Sequence, residues 1–208
     1  LATSTGALRL MESVEQSQLP AATRKEVLNL AVGHPQPHIR ELFERFVPSD
    51  QRPQRLGNLV NPAQILSLAG DVSRGARLFA ATEGIQCKSC HQINKVGTAI
   101  GPDLSHVGKQ LTRSQILQSI LKPSEKINPK FVTYLAETSQ GRIVTGLLVE
   151  KTKQRVVLRD ARNQRIELQA SELELLVPQP KSLMPDLLFK DLNATQLADL
   201  IAYLESLK

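Results

Sequence analysis

Cys87-Lys88-Ser89-Cys90-His91 is the stretch from which the rest of the chain is read. Two thiols at this spacing can each add to a vinyl group of one porphyrin, and the adjacent His then meets the iron from the same side. Three other readings compete on the residues alone. A thioredoxin-type redox pair needs a βαβ setting, whereas here a helical pattern precedes the cysteines and a Gly-rich loop follows. A zinc site wants four ligands at paired spacing, and these two cysteines are the only ones. Chance occurrence is open to any five-residue pattern. The same count of two excludes a disulfide framework.

Working outward, Asp71 to about Glu83 reads as a helix with Val72, Ala76, Phe79 and Ala80 on one stripe. After the motif comes a loop with Gly97, Gly101 and Pro102. A second helix begins at Thr112, where Thr112 and Gln115 form a capping box, and Pro123 ends it. From 131 to 177 the apolar period changes to two, in five short runs beginning at Phe131, Ile143, Arg155, Ile166 and Leu173. Five short antiparallel strands predict a small SH3-like β-barrel. A last helix starts at Asn193, with Gln196 as its capping partner and Leu197, Leu200, Ile201, Leu204 and Leu207 on its apolar stripe. Residues 5–47 read as two or three short helices, the third from Ile39 to Phe46, similar to the end of a helical-repeat array. Residues 48–62, with Pro48, Pro53, Gly57 and Pro62, read as an extended linker.

A chain of 208 residues suits one domain with additions, or two small ones. Aromatic residues make up only 3%, so something else is expected to fill part of the interior, as a porphyrin would. No apolar run is long enough to span a membrane. Leu1-Ala2-Thr3-Ser4 shows neither an initiator Met nor a signal pattern, and reads as a processed form or a piece of a longer protein. Five of the six excess positive charges fall in residues 71–130, which hold nine basic and four acidic groups. That bias fits a solvated basic face, a docking surface for an acidic redox partner, or compensation of haem propionates. Nucleic acid is not an expected partner, because no aromatic platform or binding motif accompanies the charge.

Beyond the motif, the chain resembles class I cytochromes c. Gly75 and Phe79 look like that family's first-helix pair, in which a Gly lets the last helix cross closely, and Leu200 and Tyr203 match the partner pair. Ile100-Gly101-Pro102-Asp103-Leu104 resembles the loop whose Pro carbonyl accepts a hydrogen bond from the other nitrogen of the haem His. Gly108-Lys109 falls where the family often has Gly-Arg near the propionates, so Lys109 is carried over as a haem-binding residue. Ser182-Leu183-Met184-Pro185 resembles the Met-Pro ligand loop, which makes Met184 the sixth iron ligand beside His91. Met11 reads as core, His106 is the runner-up ligand, and His34 and His38 are expected to be exposed. From about residue 36 onward the chain resembles the haem-binding domain at the C-termini of large planctomycete and verrucomicrobial proteins. Gly70-Asp71, Lys122-Pro123-Ser124, Ile127-Asn128-Pro129, Gly141, Gly146 and Asp199 to Leu204 carry that resemblance with the motifs above.

The resemblance implies a mainly α cytochrome c-like fold, at residues 63–130 and 178–208, interrupted by a five-stranded SH3-like barrel at 131–177. Residues 1–62 are then N-terminal helices and linker. One covalent haem c with its iron, attached at Cys87 and Cys90, is the expected cofactor. One-electron transfer for a larger dehydrogenase-like protein is the expected function, with no catalysis of its own. The alternative is a haem sensor or peroxidase with a labile sixth ligand. A third reading makes the barrel a homodimer interface. Thioether attachment takes place outside the cytoplasm, so a periplasmic or equivalent compartment is expected.

Overall fold

A computed structural model of the chain describes residues 1–34, 36–52, 54–81 and 85–208. Its organising contact is the crossing of two helices far apart in sequence, α5 (Val72–Ala80) and α8 (Ala194–Ser206). A Cβ on Gly75 would lie 2.0 Å from the Asp199 carbonyl oxygen and 2.7 Å from Tyr203 Cβ, so only glycine allows this approach. Beside it the Phe79 and Tyr203 rings meet at 5.9 Å between centroids. Asp199, 2% exposed, ties the crossing together. Its carboxylate accepts from the Asp71 N–H at 2.6 Å, and from Arg74 Nε and Nη2 at 2.6 and 2.9 Å. Helix α8 buries Leu197, Leu200, Ile201 and Leu204 in the core that also takes Phe79, Ile93, Ile116 and Leu117. Each such side chain contributes roughly 1.5–3 kcal/mol by leaving water.

Both capping boxes read from the sequence are present, Thr112 with Gln115 at the start of α7 (Arg113–Leu121) and Asn193 with Gln196 at the start of α8. Helix α5 ends at Ala80, where Ala81 turns to extended backbone; Glu83, in the expected helix, lies outside the described residues. Two short helices carry no long periodic signal: α4 (Pro62–Ser67), capped by Asn61, and α6 (Val107–Gln110).

The N-terminal helices α1 (Ser4–Glu15), α2 (Ala21–Val32) and α3 (Pro37–Glu44) enclose their own cluster of Ala7, Val14, Leu28, Ala31, Ile39 and Phe43. Met11 packs there, as expected of a core residue, and its Sδ accepts from Arg45 Nη2 at 3.0 Å. His38 is exposed, whereas His34 is half-buried and its Nδ1 accepts the Gln36 N–H. The helices are clasped to the rest of the chain by Arg40 and Asp191, 3.0 Å apart. The stretch after them is docked rather than free: Leu56 N–H donates to Leu192 O and Gly57 N–H to Lys190 O.

All five expected strands form: β3 (Thr133–Thr138), β4 (Ile143–Lys151), β5 (Arg155–Arg159), β6 (Arg165–Gln169) and β7 (Leu173–Pro178). A small hairpin, β1 (Gln92–Ile93) with β2 (Val96–Gly97), precedes them. The large sheet is antiparallel in the order β6-β5-β4-β3-β7. Among the described residues no ladder joins β6 to β7, so the expected barrel is an open five-stranded sheet. The 3₁₀ turn Ala170–Glu172 carries the chain from one edge strand to the other. Ala170 N–H bonds Gln154 O and Ser139 N–H bonds Glu172 O, which ties the turn to the hairpins on either side. One face of the sheet still encloses a core of Ala136, Val144, Val156, Leu158 and Leu168.

Candidate haem-binding site

Cys87, Lys88 and Ser89 form a 3₁₀ turn entered through Gln86 in the left-handed region, at φ 43°. The N–H groups of Cys90 and His91 both return to the Cys87 carbonyl, at 3.2 and 3.0 Å, which gathers the two thiols and the imidazole on one tight bend. Cys87 and Cys90 are free and half-buried, and Cys87 packs against the main core. Burial pushes the Cys87 thiol up to about 12, and raises the Cys90 thiol too. A thiol–disulfide pair works through a thiolate with a lowered pKa. These cysteines have the opposite bias, which counts against the thioredoxin-type reading.

The loop that follows folds back over the bend. Ile100 and Gly101 both donate to the Cys90 carbonyl, at 3.0 and 2.7 Å, and Thr98 N–H donates to Lys88 O. Asn94 and Lys95 take positive φ at the tip of the β1–β2 hairpin. A Cβ on Gly101 would stand 2.7 Å from His91 Cε1, so this glycine lies flat against the imidazole edge. His91 Nδ1 lies 2.8 Å from the Pro102 carbonyl oxygen, as the resemblance implied. A carbonyl can only accept, so Nδ1 carries the proton and Nε2 keeps its lone pair. Burial lowers the His91 pKa, with the bond to Pro102 acting against it, and so favours the neutral ring that a metal requires.

The remaining expected residues sit as follows. Met184 is half-buried in the loop between β7 and α8. Its N–H donates to Ser182 Oγ, and Ser182 N–H donates to Ser124 Oγ, both at 3.1 Å, so the loop is pinned to the residue after Pro123. Lys109 is exposed on α6. No hydrogen bond or ion pair joins it to the Cys87–His91 bend among the described residues. Gly108 beside it is structural: its N–H donates to Leu207 O, and a Cβ there would meet Glu205 O at 2.1 Å. His106 is exposed. Sequence reasoning missed Arg159, which donates from Nη1 to the Ala99 carbonyl at 3.0 Å across 60 positions. Only the β register brings it there, so no local signal announced it.

Two thiols and an imidazole with a free Nε2, gathered on one turn beside an apolar core, make a donor set that fits a covalently held haem and its iron. No group of three or more His, Cys, Asp and Glu able to hold a metal ion alone occurs among the described residues. No described helix is long and apolar enough to cross a membrane. A search of curated proteins finds no match to the chain. Residues 72–144, from the start of α5 into β4, match the family described as cytochrome c, a match that supports a cytochrome c-type haem domain in this part of the chain, with covalent haem c and its iron as the cofactor.

Proposed function

We propose that the chain is a one-electron carrier in which Cys87 and Cys90 hold haem c by thioethers, and His91 Nε2 and Met184 Sδ are its axial ligands. The haem supplies reversible ferric/ferrous chemistry. The protein's part is to bind, orient and insulate. Filling both axial positions suits electron transfer without bond making, and a thioether ligand raises the potential. The observation that carries the reading is the Pro102 carbonyl fixing His91 through Nδ1, which orients the ring and raises its basicity. Support for Met184 comes from its loop, fixed through Ser182 to Ser124 just before the last turn toward α8.

In this reading residues 63–130 and 178–208 are a haem domain of the planctomycete and verrucomicrobial type, 131–177 a β insertion, and 1–62 N-terminal helices and linker at the end of a helical-repeat region. Lys109 serves the haem propionates, and the positive bias of residues 71–130 serves an acidic redox partner, within a larger dehydrogenase-like protein in the periplasm or its equivalent. The rival reading of the sheet as a homodimer surface predicts a concentration-dependent mass, which sedimentation at two concentrations tests.

Visible spectra of the oxidised and reduced protein test the ligand set. The expected result is a low-spin spectrum with the sulfur–iron charge-transfer band in the oxidised form. Met184→Ala is expected to keep the haem attached, abolish that band and admit CO. A wild-type protein that lacks the band and binds CO or peroxide readily is instead a sensor or peroxidase.

A further inference from the structure

The hydrogen bonds of the Cys87–His91 bend continue, peptide by peptide, out to the β insertion. Arg159 Nη1, at the end of β5, donates to the Ala99 carbonyl at 3.0 Å. The N–H of that same peptide group, carried by Ile100, donates to the Cys90 carbonyl at 3.0 Å. The N–H sharing a peptide with that carbonyl, carried by His91, donates to the Cys87 carbonyl at 3.0 Å. A trans peptide is planar, with its C=O and N–H pointing opposite ways. The three bonds therefore lie in series with their dipoles in one sense, and the arginine's charge stands at the carbonyl end.

The sheet holds Arg159 in place. It pairs with Leu147 on β4 and with Arg165 on β6. A Cβ on Gly146 would lie 2.5 Å from its carbonyl oxygen, so β4 and β5 close tightly at this point. Arg159 Nε is buried and has no hydrogen-bond partner among the described residues. Buried polar groups are nearly always paired, and each exception asks for a reason. Here the reason is the placement of Nη1 as a charged donor on Ala99. Bonds from a charged donor are stronger than neutral ones, and bonds in series polarise one another. Just beyond Ala99, Gly101 lies against the His91 ring and the Pro102 carbonyl receives Nδ1.

We propose that Arg159 is a positioning residue for the haem-attachment bend. Its charged donor heads the series of hydrogen bonds that holds the backbone of Cys90 and His91, and so fixes the plane of the His91 ring. The β insertion thereby acts on a ligand of the iron through the backbone. The proposal rests on the carrier reading above, in which His91 Nε2 is an axial ligand.

Hydrogen exchange of the reduced, haem-loaded full chain, followed amide by amide by NMR, tests this. Arg159→Met keeps the stem and loses the donor. Its Ile100 and His91 amides are expected to exchange about tenfold faster than in wild type, through local opening after loss of a bond to a charged group. The amides of α7 and α8 keep their rates. The haem methyl resonances of the oxidised form, which report the plane of the axial imidazole, shift as well. Arg159→Lys restores most of both readouts. Arg159→Gln, with a neutral donor, gives smaller changes in both and carries the test if Arg159→Met does not fold. Arg155→Met is the control: that cation is paired with Glu150 and Glu167, and its loss leaves both readouts unchanged. Unchanged exchange or unchanged methyl shifts in haem-bearing Arg159→Met, or in Arg159→Gln in its place, overturn the proposal and leave the haem reading standing. Equal acceleration in α7 and α8 assigns the effect to overall stability and overturns it too, as does failure of Arg159→Lys to restore the readouts. Wild-type protein without covalent haem overturns the haem reading itself.

Discussion

His91 is held by atoms that are mostly backbone: the Pro102 carbonyl at Nδ1 and the flat face of Gly101 along its edge. Backbone support makes the site sensitive to volume more than to polarity. Gly101→Ala would put a methyl 2.7 Å from Cε1 and 2.9 Å from Nδ1, closer than real contacts allow. The expected outcome is a loss of about 1–3 kcal/mol together with a changed ligand-field spectrum, checked by thermal melting and visible absorption. Asp199 is the other residue on which much converges. The bond from Arg74 holds its carboxyl below the usual carboxylate range, helped by the Asp71 N–H and opposed by burial. A depressed folded pKa contributes stability above the unfolded value, near pH 4, which is lost as pH falls through the folded one. Chemical denaturation at pH 7 and pH 3 should show this loss, and Asp199→Asn should be less stable at pH 7 with a flatter acid limb.

At the scale of elements, the α5–α8 crossing has no slack. Gly75→Ala forces a Cβ to within 2.0 Å of the Asp199 carbonyl, a backbone atom that cannot step aside without moving a helix. It should cost about 3 kcal/mol or more. Gly141→Ala has open space and a φ of +75°, so only local strain is expected, about 1 kcal/mol. Comparing the two by denaturant titration separates close packing from backbone conformation. Elements with local causes were legible in the sequence. The capping boxes at Thr112 and Asn193 are i to i+3 patterns, and both formed. Helix α4 was not legible, because six residues starting at Pro62 in a Pro-rich stretch give no helical period. The β1–β2 hairpin has two residues a strand, too few to alternate.

For the whole molecule, the sheet leaves and re-enters the α-helical part at one point. Tyr134 pairs with Pro178 across β3 and β7, which puts those Cα atoms about 5 Å apart. Replacing residues 131–177 by a short Gly-rich linker should therefore still yield a chain with covalent haem, checked by mass and by the absorption of the reduced protein. The N-terminal helices are attached more thinly, chiefly by Arg40 with Asp191 and by the Leu56 and Gly57 backbone bonds.

By itself the sequence determined the chemistry: Cys87, Cys90 and His91 are adjacent in the chain, and a bond-forming motif of five residues needs no fold to be read. It determined too that a β segment interrupts the helices, because a change of apolar period is written along the chain. That the five strands pair in the order β6-β5-β4-β3-β7, with no ladder from β6 to β7 among the described residues, came from the tertiary structure alone, because pairing joins strands distant in sequence. Only it placed Arg159 on the Ala99 carbonyl. Strand register and helix crossings join residues that are distant in sequence, and no local pattern records which partner the folded chain will choose.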